Sequence, residues 1–217
     1  MPAASVIKPN LAFLEAAGWS DSMLKSLAAS IRAGGSLSIC DAKRGDIGNT
    51  SRQYANAVFD RWGFDAITVN PLMGRDSVAP FLERPDRGCF LLCVTSNPGA
   101  DDFLLKNELY LRIAEKAAAW DTSQNVGLVV GATRPEYAAR VRELAPYLPL
   151  LIPGVGAQGG ALKETLDAIQ AKSNPNFLIN VSRALMYPET IPPESCADWW
   201  ESQAEAYRDE IRRMVAG

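Results

Sequence analysis

The chain contains no histidine. That absence excludes a Ser-His-Asp triad, a Cys-His dyad, an imidazole general base and any metal site built on imidazole. Cysteine is scarce. Cys40, Cys89, Cys93 and Cys196 form no C-x-x-C pair and no zinc spacing. The first three lie in apolar runs, which reads as small buried hydrophobes in a reducing compartment. No apolar run reaches the ~18 residues that a membrane-spanning helix needs. The first residues, MPAASVIK, lack the charged and long apolar regions of a secretory signal, so a cytoplasmic location is expected. Neither sign of charge dominates. The 22 basic and 25 acidic residues leave a net charge of -3, which gives no footprint for nucleic acid or an anionic membrane. A phosphate-bearing small molecule stays open as a ligand, because a local site can be cationic inside an acidic protein.

What is present is ordinary globular material: 217 residues, 47% hydrophobic and 22% charged. That length suits a single α/β barrel of ~200–250 residues. No composition break or linker divides the chain, so residues 1–217 are expected to form one domain. Short apolar runs alternate with longer amphipathic stretches. Strands are expected over residues 5–8, 36–41, 66–70, 89–95, 127–131, 150–153 and 177–181. Helices are expected over residues 21–33, 50–62, 109–120, 135–144, 161–171 and 197–215. Asp21 can cap the first helix, and Pro135 sits where a first turn tolerates proline. This alternation predicts βαβ units and a parallel sheet. The strands are apolar almost throughout, as a sheet covered on both faces requires. No G-x-G-x-x-G follows the first strand, which weighs against a dinucleotide fold.

Polar residues collect at the carboxyl ends of these strands, where both closed and open α/β sheets bind ligands. The most informative run is SLSICDAKRGDI, residues 36–47. If the strand continues, Leu37, Ile39, Asp41 and Lys43 share one face, apolar first and ionic last. Asp41 and Lys43 would then have Cα atoms ~6.6 Å apart, close enough for their charged ends to meet. Asp46 follows Gly45, where the chain must turn. It can face the same site or reach a neighbouring subunit's site. Lys8 closes the preceding strand, and Pro9 after it is expected to end the ladder. Adjacent parallel strands finish on one side. Lys8, Asp41, Lys43 and Asp46 therefore form a candidate cluster of alternating charge.

Two late segments look like an anion cradle. The run PGVGAQGG, residues 153–160, follows a strand and opens a helix. Its glycines allow close backbone approach, and free amides at a helix start favour an anion. Arg183 follows the last strand, and its planar fork suits phosphate. Barrels often build a phosphate site from their last two strand ends. Ser96, in the run SNPG after a strand, could meet a polar heterocycle, although an Asn-Pro turn explains the run as well. Trp62, Trp120, Trp199 and Trp200 read as packing.

Taken in order, these motifs resemble the orotidine 5′-phosphate decarboxylase family, in the bacterial form carrying DAKRGDIG. The resemblance runs through VIKP (residues 6–9) with Phe13 and Glu15, residues 41–50, NPLMG (70–74) with Asp76 and Ser77, residues 95–99, VGAT (130–133), residues 153–160 and residues 180–184. It implies a (β/α)8 barrel that uses no cofactor or metal and acts as a homodimer with sites at the interface. It implies Lys8, Asp41, Lys43 and Asp46 as the catalytic array, with Asp46, Ile47 and Thr50 reaching the partner's site. Ser96 and Gln158 would contact the pyrimidine and phosphate sides. Arg183 would hold the phosphate, with Pro153, Gly156 and Gly159 in the phosphate loop. Lys43 would stabilise a ring carbanion and protonate it.

One departure stands beside the resemblance. The family's first strand, ending in a substrate-holding Asp, has no counterpart here, because Lys8 already matches the end of the second strand. Seven strands are expected rather than eight. Two other readings stay open at this point: a nucleotide-binding form with impaired catalysis, and a related Mg-dependent sugar-phosphate decarboxylase that shares D-x-K-x-x-D.

Overall fold

The computed structural model describes residues 2–155, 162–187 and 195–216. Its centre is a seven-stranded, all-parallel sheet: β1 (Val6–Ile7), β2 (Leu37–Arg44), β3 (Ala66–Val69), β4 (Gly88–Val94), β5 (Val126–Val130), β6 (Leu150–Pro153) and β7 (Phe177–Asn180). The spatial order follows the chain order, β1 to β7. This is the wound path of a (β/α) barrel. Among the described residues, β1 and β7 stand at the two ends of the sheet and are not paired with each other. The seven strands expected of a (β/α) barrel without its first strand are found, in an open, curled sheet.

The helices are α1 (Leu11–Ala16), α2 (Asp21–Ala33), α3 (Gly48–Ala55), α4 (Arg75–Leu82), α5 (Leu109–Trp120), α6 (Pro135–Leu144), α7 (Leu162–Ala168), α8 (Arg183–Met186) and α9 (Cys196–Ala216). A π-helical stretch, Asn56–Arg61, continues α3. The bounds of α2, α5 and α6 coincide with the expected ones. Three short helices were not expected: α1, α4 and the four-residue α8. Helix α1 has only six residues, too few to show a period, and it forms because Asn10 accepts a hydrogen bond from the Ala12 amide at 3.1 Å. Helix α4 holds Pro80 inside it, which sequence logic reads as a breaker. Buried Val78 and Phe81 anchor it to the core regardless. Ser20, rather than Asp21, caps α2 and accepts from the Met23 amide at 3.5 Å.

Two apolar layers hold the fold. One lies inside the curl of the sheet: Ile39, Ala66, Phe90, Val129 and Leu151, one from each of five adjacent strands. The larger layer lies between the sheet and the helices and includes Ile67, Leu91, Leu128, Leu150 and Ile152. Cys40, Cys89 and Cys93 are buried in that outer layer, as small hydrophobes should be, while Cys196 is exposed. Burial pushes the Cys40 thiol up to about 12 and raises Cys89 and Cys93 further, so none is a thiolate near neutral pH. Trp62 and Trp120 pack against this layer.

Gly127 exists for the inner layer. A Cβ there would stand 2.5 Å from the Phe90 ring. At the opposite end of the sheet from the carboxyl rim, Asp65 ties β3 to β2 by accepting from the Ser38 amide (2.9 Å) and hydroxyl (2.7 Å). Arg142 is buried there and donates to the carbonyls of Leu148 and Asn176 at 3.0 and 2.8 Å. These contacts fix the amino ends of the strands and leave the carboxyl rim free for the site. Among the described residues, no helix is long and apolar enough to cross a membrane.

Candidate active site

The site begins with the pairing of β1 and β2. Val6 pairs with Leu37 and Ile7 with Ser38. The same register carries on past Pro9, because the Asp41 amide donates to the Pro9 carbonyl at 2.9 Å and Asn10 bridges Asp41. Pro9 therefore does not end the ladder, contrary to expectation. Proline removes a donor but keeps its acceptor. The continued ladder sets Lys8 beside Asp41.

Lys8 and Asp41 form an ion pair with side chains only 11% and 8% exposed. Lys43 donates to the other oxygen of Asp41, Oδ1, at 2.5 Å and is itself 49% exposed. The two ammonium groups thus hold one carboxylate from two sides. Burial works against ionisation of Asp41. The Lys8 charge and the hydrogen bonds from Lys43 and Lys8 outweigh it, and the carboxyl is held below its usual range.

The end of β2 is not the regular strand expected. From Cys40 to Arg44 the pairing with β3 slips: Cys40 faces Ile67 and Arg44 faces Val69. Four steps on β2 therefore span two on β3, which is a bulge. Within it Lys43 adopts φ +49, the left-handed region that side chains rarely occupy. Asp41 and Lys43 still meet, but through this bend and not through simple alternation. The bulge is closed by Thr68, 1% exposed on β3. Its hydroxyl accepts from the Lys43 amide at 3.0 Å and donates to Asp41 Oδ1 at 3.0 Å.

Arg44 turns away to pair with Glu15 of α1 and stacks over Tyr54 at 5.0 Å. Gly45 packs closely on the end of β3: a Cβ there would lie 3.1 Å from the Asn70 Cβ, which would have to give by a few tenths of an ångström. Asp46 follows on the rim. Its carboxylate accepts from the Ile47 amide at 2.8 Å and, among the described residues, joins no ion pair. Ile47 and Thr50 are exposed. Within one chain, Asp46 is therefore not part of the lysine–aspartate cluster.

The other expected residues lie along the same rim. Ser96 is half-buried just after β4, and its carbonyl accepts from the Thr133 hydroxyl at 3.4 Å. Gly131, after β5, lies directly against it, and a Cβ there would come within 2.9 Å of Ser96. Pro153 ends β6 and its carbonyl accepts from the Ala132 amide at 2.9 Å. Arg183 opens α8 just beyond β7 and is exposed. Gly156, Gln158 and Gly159 lie outside the described residues. Among the described residues, no three acidic or cysteine side chains gather into a metal-holding group.

Thr68 is the residue that sequence reasoning missed. The signal was a hydroxyl two positions after Ala66, on the inward face of an otherwise apolar strand. Such a polar group, buried, needs a partner.

Comparison with known proteins gives the chain's family. A curated protein from Herpetosiphon aurantiacus, named orotidine 5′-phosphate decarboxylase, is 51% identical over 189 residues, covering 83% of this chain and 68% of that protein. The solved structure of Leishmania donovani OMP decarboxylase superposes with a TM-score of 0.84 at 39% identity, covering 97% of this chain and 80% of that one. Leishmania donovani UMP synthase superposes with a TM-score of 0.86 at 41% identity, and this chain spans 47% of its length. The match to the orotidine 5′-phosphate decarboxylase / HUMPS family extends over residues 1–192. The chain belongs to that family.

Proposed function

We propose that this chain decarboxylates orotidine 5′-monophosphate to uridine 5′-monophosphate. The observation that carries the proposal is the Lys8–Asp41–Lys43 array at the carboxyl rim, with two ammonium groups on one desolvated carboxylate. In the reaction the bond between the ring and its carboxyl group breaks and carbon dioxide leaves. The electron pair stays on the ring carbon. The exposed half of Lys43 faces the rim, and its ammonium stabilises that charge and then donates the proton. Lys43 is recharged from solvent. Asp41, already ionised, keeps both lysines oriented and stands near the departing carboxylate.

Ser96 and Gln158 would meet the pyrimidine and phosphate sides. Arg183, Pro153, Gly156 and Gly159 would hold the phosphate, whose binding energy can be used at the transition state. The active form is a homodimer in which Asp46, Ile47 and Thr50 complete the partner's site. Exposed Ile47, Leu72 and Met73, at 60%, 54% and 52%, support a subunit contact beside the cluster. The chain works as one domain, in the cytoplasm, on a small molecule and without nucleic acid or membrane. Incubation with orotidine 5′-monophosphate should yield uridine 5′-monophosphate and carbon dioxide in equal amounts. Binding of the product without any turnover would contradict the proposal and favour a nucleotide-binding role.

A further inference from the structure

We infer that Thr68 is a positioning residue for the proposed reaction: its hydroxyl spans the β2 bulge and sets the place of both the Asp41 carboxylate and the Lys43 ammonium. The inference rests on the functional reading above for its kinetic consequence, but its geometric content stands alone.

The direction of each hydrogen bond is fixed by chemistry. A backbone amide can only donate, so the Thr68 oxygen accepts from Lys43 at 3.0 Å. An ionised carboxylate can only accept, so the hydroxyl proton is directed to Asp41 Oδ1, also at 3.0 Å. Both ends of one hydroxyl are thereby committed. The Leu37 and Asp41 amides of β2 donate to the Ser5 and Pro9 carbonyls on the β1 side, and alternation would turn the Lys43 amide the same way. The slip between Cys40 and Arg44 turns it toward β3 instead, away from any such backbone acceptor. Thr68 supplies the missing acceptor. The same bond holds Lys43 at φ +49, a conformation a lysine keeps only when its surroundings impose it. From that backbone the Lys43 side chain turns back to Asp41 Oδ1, 2.5 Å away. Oδ1 thus receives Thr68 and Lys43, and Oδ2 receives Lys8.

Thr68 itself is 1% exposed and sits behind the cluster on β3. It acts through Asp41 and Lys43. Removing the hydroxyl should free the Lys43 backbone and let its ammonium drift from the reacting carbon. A misplacement of this kind lowers the rate of the chemical step more than it weakens binding, because the phosphate grip lies elsewhere.

The test compares Thr68→Val, Thr68→Ala and Thr68→Ser with the unmodified chain. Valine keeps the shape and loses the hydroxyl, alanine loses both, and serine keeps the hydroxyl. The expected result is a kcat loss of ~10²-fold in the valine and alanine variants. KM should stay within about threefold, and serine should restore kcat to within about threefold. Folded valine and alanine variants with unchanged kcat would overturn the inference, and so would a serine variant as slow as valine. Failure of both hydroxyl-free variants to fold, with serine folded, would also overturn it, since the hydroxyl would then be a folding contact. Crystal structures of the valine and serine variants give a readout independent of turnover. Lys43 should leave the left-handed region in the first and keep it in the second. An unmodified chain without turnover would refute the functional reading alone, and the crystal structures would still decide the role of Thr68.

Discussion

Asp41 is the pivot of the site. Three donors share its two oxygens, and its side chain is 8% exposed. Its carboxyl titrates below the usual range when folded, so folding favours the charged form. The stability it contributes is fully present above the unfolded carboxyl pKa of ~4 and is lost as pH falls through the lower folded value. Urea-unfolding free energies measured from pH 7 downward should therefore fall on the acid side, and Asp41→Asn should lack that part of the slope. Equal acid slopes in both proteins would contradict the assignment. At neutral pH the asparagine variant should be less stable by ~3–5 kcal/mol, because nearly buried Lys8 would lose its counter-ion. Much of this cluster was legible in the sequence. The Asp41–Lys43 spacing and the strand-end position of Lys8 pointed to it, since strand ends in parallel sheets gather on one rim. Thr68 was not legible as a member, because it joins the cluster only through a bulge that no spacing rule announces.

At the scale of elements, the helices found from sequence were those with enough turns to show a period. Helix α5 repeats apolar residues over twelve positions, whereas α1 has six and α4 contains Pro80. Strand β2 ran three residues beyond its expected end, to Arg44, because the bulge keeps the chain paired after the ionic residues begin. Pro9 misled for a related reason: a proline carbonyl still accepts, and the ladder continued through it. The β4 and β5 ends meet closely at Gly131. Gly131→Ala should push its new methyl into Ser96, which the backbone already touches. A loss of ~1–3 kcal/mol is expected from such overpacking, with a rise in KM as Ser96 shifts. Chemical denaturation and steady-state kinetics check both parts. A variant with normal stability and KM would show that the two loops can part without cost.

Across the whole molecule, the sheet runs in chain order from β1 to β7, and its carboxyl rim carries every candidate residue that the structure describes. The alternation of strands and helices was enough to read a parallel sheet, because parallel neighbours need helical crossovers, whereas the barrel path came from the family resemblance. How two copies would meet in the proposed homodimer is a different matter, since a surface contact leaves no period in a sequence. The rim's exposed apolar residues give the test. Ile47→Asp places a charge on the proposed subunit contact and should weaken the dimer by about 2 kcal/mol, ~30-fold in dissociation constant. Activity should fall in parallel as Asp46 leaves the partner's site. Sedimentation equilibrium with parallel assays checks this, and an unchanged dimer would remove Ile47 from the interface.

The central claim is that lysine and aspartate alone carry the chemistry. Its most direct test is the ultraviolet absorbance of orotidine 5′-monophosphate at high enzyme concentration, for the unmodified chain and for Lys43→Ala. Lys43 is half exposed, so its removal should spare the fold, as a thermal melt would verify. Substrate absorbance should fall steadily with the unmodified chain and at a rate ~10²–10⁴-fold lower in the variant. No loss with the unmodified chain, or near-equal rates in the two, would contradict it.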